Sequence, residues 1–445
     1  MTDVAAPAGS RIHWHNWAGN ERADTVVVRP TSADQVADVL SAAAAAGRRV
    51  RPIGSSHSFS AIGRPEPDQL VCDAFAAVGE VEEDGRVTVR GGTSLRKVNA
   101  ELHRQGWSLT NLGDIDRQTV AGALATGTHG TGARYGGLAA QVRGLELVTA
   151  GGDVLTCDDV RNPEVFAAAR VSLGALGVVT AVTLQAVPAF ALRAVEGRGT
   201  LTAAIEGFEE LMTSTDHVEF YWFPHTDLTL LKSNTRVPLA EGIAPLPRWR
   251  AVWDDEIVAN LAFAGVVAAG RRVPALVPPL ARMSARALGS RSWTDHAHRV
   301  FVSRRRVRFL ETEYAVPRPE APAVLAELRR VHEANDWRAA FPVEVRLAAA
   351  DDVPLSMASG RDTAYIAAHV PAGTLPGPWF AAVESIAGAV GGRPHWGKLH
   401  GLDAAVLRSR YPRFDEFVAV RNRLDPSGML TNAYLDRVLG PAPGR

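Results

Sequence analysis

A run of small and polar residues, Gly54-Ser55-Ser56-His57-Ser58, follows a short predicted strand. Glycine and serine allow the backbone to approach a phosphate closely, and consecutive N–H groups can form a concave site with a local positive field. The imidazole of His57 lies inside this run, where it could reach a ring bound beside the phosphates. Loops of small residues are common, so the run alone indicates only a turn that suits a diphosphate.

A second segment, from Thr119 to Gly132, is rich in threonine and glycine and follows Asn111-Leu112-Gly113-Asp114. Hydroxyl groups and bare backbone in such a segment could line a long, flat ligand. Its spacing does not match G-x-G-x-x-G, and the chain contains no G-x-x-x-x-G-K-[ST] loop. The sequence therefore disfavours a nicotinamide-dependent dehydrogenase and a nucleotide hydrolase.

Charged residues that could act on a substrate occur in the second half of the chain. Glu344 and Arg346 are two residues apart, so on a strand they share one face. An ion pair on the surface is the ordinary interpretation of such a spacing. Because the neighbouring residues are apolar, a buried functional pair is an equally open interpretation. Lys398 ends the segment Gly392–Lys398, where histidine and tryptophan flank it. A lysine in such a place is suited to stabilise a developing anion.

The elements around the first loop form a βαβ pattern. A strand is predicted over Val26–Arg29, a helix that begins at Ser32 with Gln35 completing a capping box, and a second strand over Arg49–Ile53. This order places the loop at the carboxyl end of a strand, where α/β proteins bind ligands.

Length and composition restrict the class of protein. A chain of 445 residues predicts two domains. A hydrophobic content of 46%, a charged content of 22% and zero net charge indicate a globular protein without a nucleic-acid or anionic-membrane partner. The only cysteines are Cys72 and Cys157, so we expect no disulfide framework and no metal. The first ten residues do not resemble a signal peptide, which predicts a cytoplasmic protein.

Two stretches test those exclusions. Arg304-Arg305-Arg306 is basic, but Glu311 and Glu313 follow it, so we predict a solvated or salt-bridged face rather than a nucleic-acid site. Ile257–Gly270 is apolar for fourteen residues, which is too short to span a bilayer. We expect a buried or interfacial helix there, and a membrane-touching surface is left open.

Four segments in this order resemble the vanillyl-alcohol-oxidase, or PCMH-type, family of FAD-linked oxidoreductases. They are most similar to the L-gulono- and D-arabinono-1,4-lactone oxidases, with alditol oxidases as near relatives. The resemblance extends from His13 to Leu435, and its most specific segments are Gly54–Phe59, Ala125–Gly130, Phe341–Arg346 and Arg393–Lys398.

This resemblance implies an α+β fold with a PCMH-type FAD-binding domain of two α/β subdomains and a mixed α/β cap domain. On that basis we expect a disordered tail over residues 1–12 and the FAD-binding domain over 13–190. The cap, or substrate, domain is expected over 191–400, and a C-terminal segment over 401–445 is expected to return to the FAD-binding domain.

The resemblance also implies which residues hold FAD. We expect covalent attachment through His57, although the family loop has a glycine where this chain has Ser56, and serine adopts a positive φ only at a cost. Gly113 is expected to face the oxygen-reactive carbon of the flavin, where a small residue leaves a path for oxygen. The full set of expected cofactor-binding residues is Ile53, Gly54, Ser55, Ser56, His57, Ser58, Gly113, Asp114, Thr119, Gly122, Thr126, Gly127, His129, Gly130, Gly177, Val178 and Val179.

The implied reaction is the oxidation of a carbinol of an aldono-1,4-lactone, by hydride transfer to flavin N5 and reoxidation by molecular oxygen to give hydrogen peroxide. The expected catalytic residues are Glu344, Arg346, His369 and Lys398, and together with Asp114 they are expected to contact the substrate. Three alternatives stay open: an alditol oxidase, a lactone dehydrogenase with another electron acceptor, and a flavin-binding protein without turnover.

Overall fold

The structure, a computed structural model, describes residues 9–251, 260, 263–303, 306–335 and 337–444. The strands are β1 (Arg11–His15), β2 (Arg22–Val28), β3 (Val50–Pro52), β4 (Asp68–Leu70), β5 (Arg86–Arg90), β6 (Trp107–Leu109), β7 (Val142–Val148), β8 (Val154–Asp158), β9 (Val178–Pro188), β10 (Phe190–Thr200), β11 (His217–Trp222), β12 (Leu228–Pro238), β13 (Arg291–His296), β14 (Phe309–Pro317), β15 (Val343–Ala348), β16 (Thr363–Pro371) and β17 (Arg393–Pro394). The helices are α1 (Ala33–Ala45), α2 (Leu95–Arg104), α3 (Val120–Ala125), α4 (Pro163–Ala169), α5 (Leu201–Glu206), α6 (Phe208–Thr213), α7 (Arg248–Ala251), α8 (Phe263–Arg272), α9 (Val277–Ala287), α10 (Ala297–Phe301), α11 (Ala321–Ala334), α12 (Gly377–Ala389), α13 (Ala404–Arg410), α14 (Phe414–Leu424) and α15 (Ala433–Leu439).

The first sheet carries the small-residue loop. Its strand order is β1-β2-β4-β3, with β2, β4 and β3 parallel and β1 antiparallel to β2. The predicted N-cap is confirmed, because the Ser32 hydroxyl accepts from the Gln35 amide. The reciprocal bond of the capping box is displaced by one residue, because the Gln35 side chain accepts from the Thr31 amide instead of the Ser32 amide. Leu40 and its apolar neighbours on α1 are fully buried. The loop leaves β3 at the carboxyl end of the sheet, as the βαβ pattern predicts.

The second sheet has the order β5-β9-β7-β8, and β6 pairs with the far end of β9. Strands β7 and β8 form an antiparallel hairpin around Gly151 and Gly152, with Val148 opposite Val154. Helices α2, α3 and α4 pack on this sheet in one core cluster with residues of α14 and α15. The chain after residue 400 therefore packs against the second sheet.

The third sheet has eight strands in the order β13-β10-β12-β11-β15-β16-β14-β17, and every pair is antiparallel. Helices α5, α6, α11 and α12 contribute to the core cluster on this sheet. Its register places Glu311 of β14 directly opposite His369 of β16, and Glu344 of β15 opposite Tyr221 of β11. Pairs that face each other across strands are the closest neighbours in a sheet.

Arg51 joins distant parts of the chain to the first sheet. Its buried guanidinium donates to the carbonyl oxygens of Leu173, Gly174 and Leu430 at 2.6, 2.9 and 2.7 Å. The division of the chain into domains stays a prediction. Arg11 and Ile12, which were expected in the tail, instead pair with β2, because the edge of that strand offers them backbone partners. Residues 1–8 lie outside the described residues.

The structure describes only parts of the apolar stretch Ile257–Gly270 and of the basic run Arg304–Arg306. In the apolar stretch, residues 257–259, 261 and 262 lie outside the described ranges, and residues 263–270 belong to α8. Arg304 and Arg305 also lie outside them. Among the residues that the structure does describe, no helix combines the length and the apolar character that crossing a bilayer requires.

Candidate active site

A cavity of about 1110 Å³ lies beside the small-residue loop, between the first two sheets. Ten of the expected cofactor-binding residues line it: Ile53, Gly54, Ser55, Ser56, His57, Thr119, Gly122, Gly177, Val178 and Val179. Ser58 and Thr126 line a smaller cavity of about 80 Å³ that shares the same loop. The structure thus brings these twelve predicted residues together.

The loop offers unpaired hydrogen-bond donors to the cavity. The amides on either side are satisfied, since Ile53 donates to the Leu70 carbonyl at 2.9 Å and Phe59 to the Gly397 carbonyl at 2.7 Å. Within the described ranges, the five amides from Gly54 to Ser58 have no protein acceptor. Five arginines also line the cavity: Arg29, Arg96, Arg117, Arg306 and Arg308. The unpaired loop amides, together with the charges of these arginines, suit a diphosphate, so the cavity fits the phosphate-bearing part of FAD.

Close packing of the backbone shapes this cavity. A Cβ atom on Gly92 would lie 1.8 Å from the Cys72 carbonyl oxygen, and one on Gly91 would lie 2.2 Å from that of Val179. Only glycine fits at such distances. Sequence reasoning did not single out this pair, although Gly-Gly directly after a strand is a signal of close backbone approach.

Ser56 adopts the positive φ that the family glycine would allow, with φ at 56°. Its neighbours hold it there: the Trp14 indole N–H donates to the Ser56 hydroxyl at 3.0 Å, and the Trp17 amide donates to the Ser56 carbonyl at 2.8 Å. Burial, together with the positive charges of Arg117 and Lys398, lowers the pKa of His57 to about 4. The imidazole of His57 is therefore neutral near pH 7.

A buried cluster of charges surrounds Arg346. Its guanidinium forms ion pairs with Glu344, Asp114 and Glu219, the last at 2.9 Å. Lys232 pairs with the other oxygen of Glu219 at 3.2 Å. Burial alone would lower the pKa of Arg346, but the three carboxylates hold it well above its ordinary value. Glu344 and Arg346 thus form a buried pair, one of the two arrangements that their spacing left open.

A second buried cluster holds Lys398. The Lys398 ammonium pairs with Glu311, and His369 Nε2 lies 3.6 Å from the other oxygen of Glu311. His369 Nδ1 lies 3.1 Å from the Pro342 carbonyl oxygen, which can only accept. Burial alone would raise the pKa of Glu311, but the charge of Lys398 and the contact with His369 lower it to about 2. Glu311 is therefore ionised at all physiological pH values.

Aromatic rings connect the cavity to these clusters. Trp17 lies between His57 and Phe309, with ring centroids 6.1 and 5.3 Å away, and Phe309 lies 5.0 Å from the ring of His369. The Lys398 ammonium lies 5.1 Å from the centroid of Phe59. Lys398 thus lies beside the loop that carries His57, and His369 is connected to that loop through the rings of Phe309 and Trp17.

Five expected cofactor-binding residues lie away from both cavities: Gly113, Asp114, Gly127, His129 and Gly130. Asp114 contacts Arg346, and His129 pairs with buried Glu313 at 3.0 Å while its ring stacks on Tyr365. A Cβ on Gly113 would lie 2.9 Å from the His129 carbonyl oxygen. Packing against His129 therefore restricts position 113 to a small residue, in addition to the expected path for oxygen past Gly113.

Sequence reasoning missed five polar residues of the site: Glu219, Glu311 and Glu313, which are buried, and Tyr221 and Lys232, which are partly buried. Glu311 and Glu313 were expected on a solvated or salt-bridged face, but they are 5% exposed and pair with Lys398 and His129. The available signal was the alternation itself. Two carboxylates two residues apart in an apolar strand share one face, and the hydrophobic flanks indicate that the strand is buried.

Comparisons with known proteins agree with this geometry. A family model described as D-arabinono-1,4-lactone oxidase matches residues 182–438, and one described as FAD binding domain matches residues 25–158. The L-gulono-1,4-lactone dehydrogenase of Mycobacterium tuberculosis is 42% identical, over 96% of this chain and 99% of the relative. The L-gulonolactone oxidase of Bos taurus is 34% identical, over 96% of this chain and 98% of the relative. The crystal structure of cholesterol oxidase from B. sterolicum superposes with a TM-score of 0.81 at 19% identity, over 99% of both chains.

The fold and the site define the class: this is an FAD-dependent oxidoreductase with the α+β, PCMH-type architecture that the sequence predicts. Within that class, the chain belongs to the D-arabinono-1,4-lactone oxidase family. The resemblance drawn from the four sequence segments is confirmed.

The lowered pKa of Glu311 predicts a pH-dependent contribution to stability. The ionised carboxylate stabilises the fold above its ordinary pKa of 4.5, and this contribution is lost as the pH falls towards 2. We expect Glu311→Gln to lower the free energy of unfolding near neutral pH by on the order of 3 kcal/mol. The gap in free energy of unfolding between the variant and the parent protein narrows below about pH 4.5, because a protonated Glu311 resembles glutamine.

Urea denaturation at a series of pH values from about 6 down to about 3 measures this gap. The matched control is Glu209→Gln, whose side chain is 69% exposed beside Arg318 and is expected to change stability by less than about 1 kcal/mol. A gap for Glu311→Gln that does not change with pH would contradict the assignment.

Proposed function

We propose that this chain oxidises a carbinol of a sugar-derived aldono-1,4-lactone of the gulono or arabinono type, with oxygen as the final electron acceptor and hydrogen peroxide as the product. The observation that carries this proposal is the position of Lys398, a partly buried cation beside Phe59 at the end of the loop that lines the cavity, with Arg346 buried in the neighbouring acidic cluster. Family membership and the named relatives support the substrate class. A cytoplasmic location is part of the same proposal.

Oxidation of a carbinol removes a hydride from carbon and a proton from the hydroxyl group. Bound FAD supplies the acceptor for the hydride. Lys398 would stabilise negative charge that develops beside Phe59 and His57, in a site where burial strengthens its field. Glu311 holds the ammonium in place, so its position is fixed before the substrate binds.

His369 is the proposed acceptor of the hydroxyl proton. Because Nδ1 faces the carbonyl oxygen of Pro342, the neutral ring carries its proton there and presents a free lone pair at Nε2. Nε2 lies 3.6 Å from Glu311, whose negative charge would stabilise the imidazolium that forms. Proton transfer to a positioned histidine contributes typically about 10²–10⁴-fold to a rate.

The acidic cluster around Arg346 would bind the substrate hydroxyl groups. Asp114, Glu344 and Tyr221 present oxygen atoms that can accept from hydroxyls, and the Tyr221 hydroxyl donates to Glu344 at 2.9 Å. With Glu219 and Lys232, the cluster contains three carboxylates and two cations, which leaves an excess of acceptors. That excess also favours a polyol with many hydroxyl groups, so an alditol oxidase is the second candidate.

A substrate panel and an oxygen electrode test the proposed function together. We expect gulono-, galactono- or arabinono-1,4-lactone to reduce the bound FAD faster than xylitol or sorbitol does. We also expect substrate-dependent oxygen uptake with peroxide formation. Preference for the polyols would favour the alditol oxidase. Reduction of a dye without oxygen uptake would identify a dehydrogenase, and no reduction by any of these compounds would indicate a flavin-binding protein without turnover.

The role of Lys398 predicts a specific kinetic defect. Lys398→Ala is expected to retain FAD but to reduce the bound flavin at least about a hundredfold more slowly, since one lost electrostatic group typically costs about 2.7–4 kcal/mol. Stopped-flow reduction under anaerobic conditions measures this rate. Lys97→Ala on the exposed face of α2 is the control and should behave as the parent. Unchanged reduction in Lys398→Ala would remove Lys398 from the mechanism.

We also propose that His57 carries FAD covalently. The neutral imidazole and the positive φ of Ser56 support this, because the loop takes the conformation of the family glycine despite its serine. We expect the yellow colour to stay with the acid-precipitated parent protein and to be released from His57→Ala. Equal release of flavin from both proteins would refute covalent attachment but leave the flavoenzyme proposal intact.

A further inference from the structure

The turn that carries Lys398 depends on a histidine side chain for one of its hydrogen bonds. The turn runs from His395 to Lys398, and the Lys398 amide donates to the His395 carbonyl at 2.9 Å. The Gly397 amide donates to Nδ1 of the His395 ring at 3.0 Å, and this contact is buried. Among the residues that the structure describes, no backbone carbonyl accepts from that amide. The conformation of the turn therefore depends on the position of the His395 ring.

The same turn contacts the end of the small-residue loop. The Gly397 carbonyl accepts from the Phe59 amide at 2.7 Å. A Cβ atom on Gly397 would lie 3.2 Å from the Ser58 hydroxyl oxygen and 3.4 Å from Cε1 of His395. Gly397 is thus packed against both the loop and the ring, and Lys398 follows it directly in the chain. A movement of the His395 ring would therefore shift the end of the loop and Lys398 together.

Only one protonation state of the His395 ring suits this contact. An amide N–H can only donate, so Nδ1 must keep its lone pair, and the proton of the neutral ring lies at Nε2. Burial lowers the pKa of His395 to about 3, with the positive charge of Lys398 adding to the effect and the Glu313 carboxylate opposing it. The ring is therefore neutral near pH 7 and is able to accept from the Gly397 amide.

A buried carboxylate lies beside the same ring. One nitrogen of His395, one oxygen of Glu313 and one nitrogen of His129 lie within 4.8 Å of one another, and all three residues are buried. His129 Nε2 is 3.0 Å from the Glu313 carboxylate, and His129 Nδ1 is 2.9 Å from the Gly130 carbonyl oxygen. Burial alone would raise the pKa of Glu313, but the contact with His129 holds it well below its ordinary value. An ionised Glu313 is thus held in place by His129 and can accept from the His395 ring.

We propose that His395 is a positioning residue whose ring fixes the turn of Lys398 and the end of the small-residue loop. Glu313 and His129 orient this ring. The inference rests on the proposed role of Lys398 in the oxidation of the carbinol. It also gives a role to His129, which was expected to bind FAD but lines neither cavity. His129 connects the threonine- and glycine-rich segment to the turn through Glu313 and His395.

Two substitutions in the holoenzyme separate positioning from the filling of space. In His395→Asn the side-chain oxygen can accept from the amide two residues later, as in an Asx turn. In His395→Leu most of the buried volume is kept, but the amide loses its acceptor. Reduction of the bound flavin by the lactone should stay within about threefold of the parent rate in His395→Asn. It should be at least about tenfold slower in His395→Leu, with the KM nearly unchanged. If the ring only fills space, leucine will be tolerated better than asparagine, and that order would overturn the proposal.

A double-mutant cycle tests whether His395 acts through Lys398. In the Lys398→Ala background, His395→Leu should slow flavin reduction by less than about a further threefold, because the group that it positions is already missing. Full multiplication of the two effects would overturn the proposal. The control is His332→Leu, which removes a buried histidine packed against the rings of Trp222 and Trp379. It is expected to leave the rate of flavin reduction unchanged.

Two spectroscopic measurements do not depend on the substrate. ¹⁵N NMR of the holoenzyme with labelled histidine, assigned through the signals lost in His395→Asn, should show His395 protonated at Nε2 and bare at Nδ1. The visible circular dichroism of the bound flavin should match the parent in His395→Asn and differ in His395→Leu. A proton on Nδ1, or unchanged dichroism in His395→Leu, would overturn the proposal. If no lactone reduces the flavin of the parent, the proposed function fails, and these two spectra still decide the role of His395.

Discussion

The burial of Arg346 is the constraint on which the active site depends. An ionised guanidinium can be buried only when anions and hydrogen bonds replace its water, because an unpaired buried charge costs several kcal/mol. Here the compensation comes from three separate parts of the chain: the segment of Asp114, strand β11 with Glu219, and strand β15 with Glu344. The charge can be satisfied only when these three parts have assembled. Arg346 therefore couples the segment of Asp114 to the eight-stranded sheet.

The same principle organises the Lys398 cluster. Glu311 stays ionised in the interior because the Lys398 ammonium compensates its charge, and it lies between that ammonium and His369 Nε2. The cation, the carboxylate and the imidazole are already close together before the substrate binds. Little reorganisation is therefore needed when charge develops in the reaction, and such preorganisation is the main source of electrostatic catalysis. Sequence reasoning identified Lys398 and His369 but not the carboxylate that joins them.

Local patterns in the sequence predicted the local structure. The N-cap at Ser32, the strand that leads into the His57 loop, and the shared face of Glu344 and Arg346 follow from periodicity and short-range chemistry, and all three are present. Contacts between side chains on different strands could not be predicted from such local patterns. Glu311 faces His369 only because β14 and β16 pair in one register, and Lys232 reaches Glu219 because β12 lies beside β11. Strand order is a property of the whole fold, so composition and alternation do not reveal it.

The hydrogen bond from Phe59 to Gly397 has a consequence for the order in which the molecule can be completed. The loop with His57 is made early in synthesis, yet the Phe59 amide that directly follows it donates to a carbonyl more than three hundred residues later, next to Lys398. The Arg51 side chain, on the strand before the loop, likewise donates to the carbonyl of Leu430, which is made much later. A nascent chain therefore cannot present a finished cofactor loop. The cofactor loop can therefore take its final form only after the segments of Gly397 and Leu430 have packed beside it.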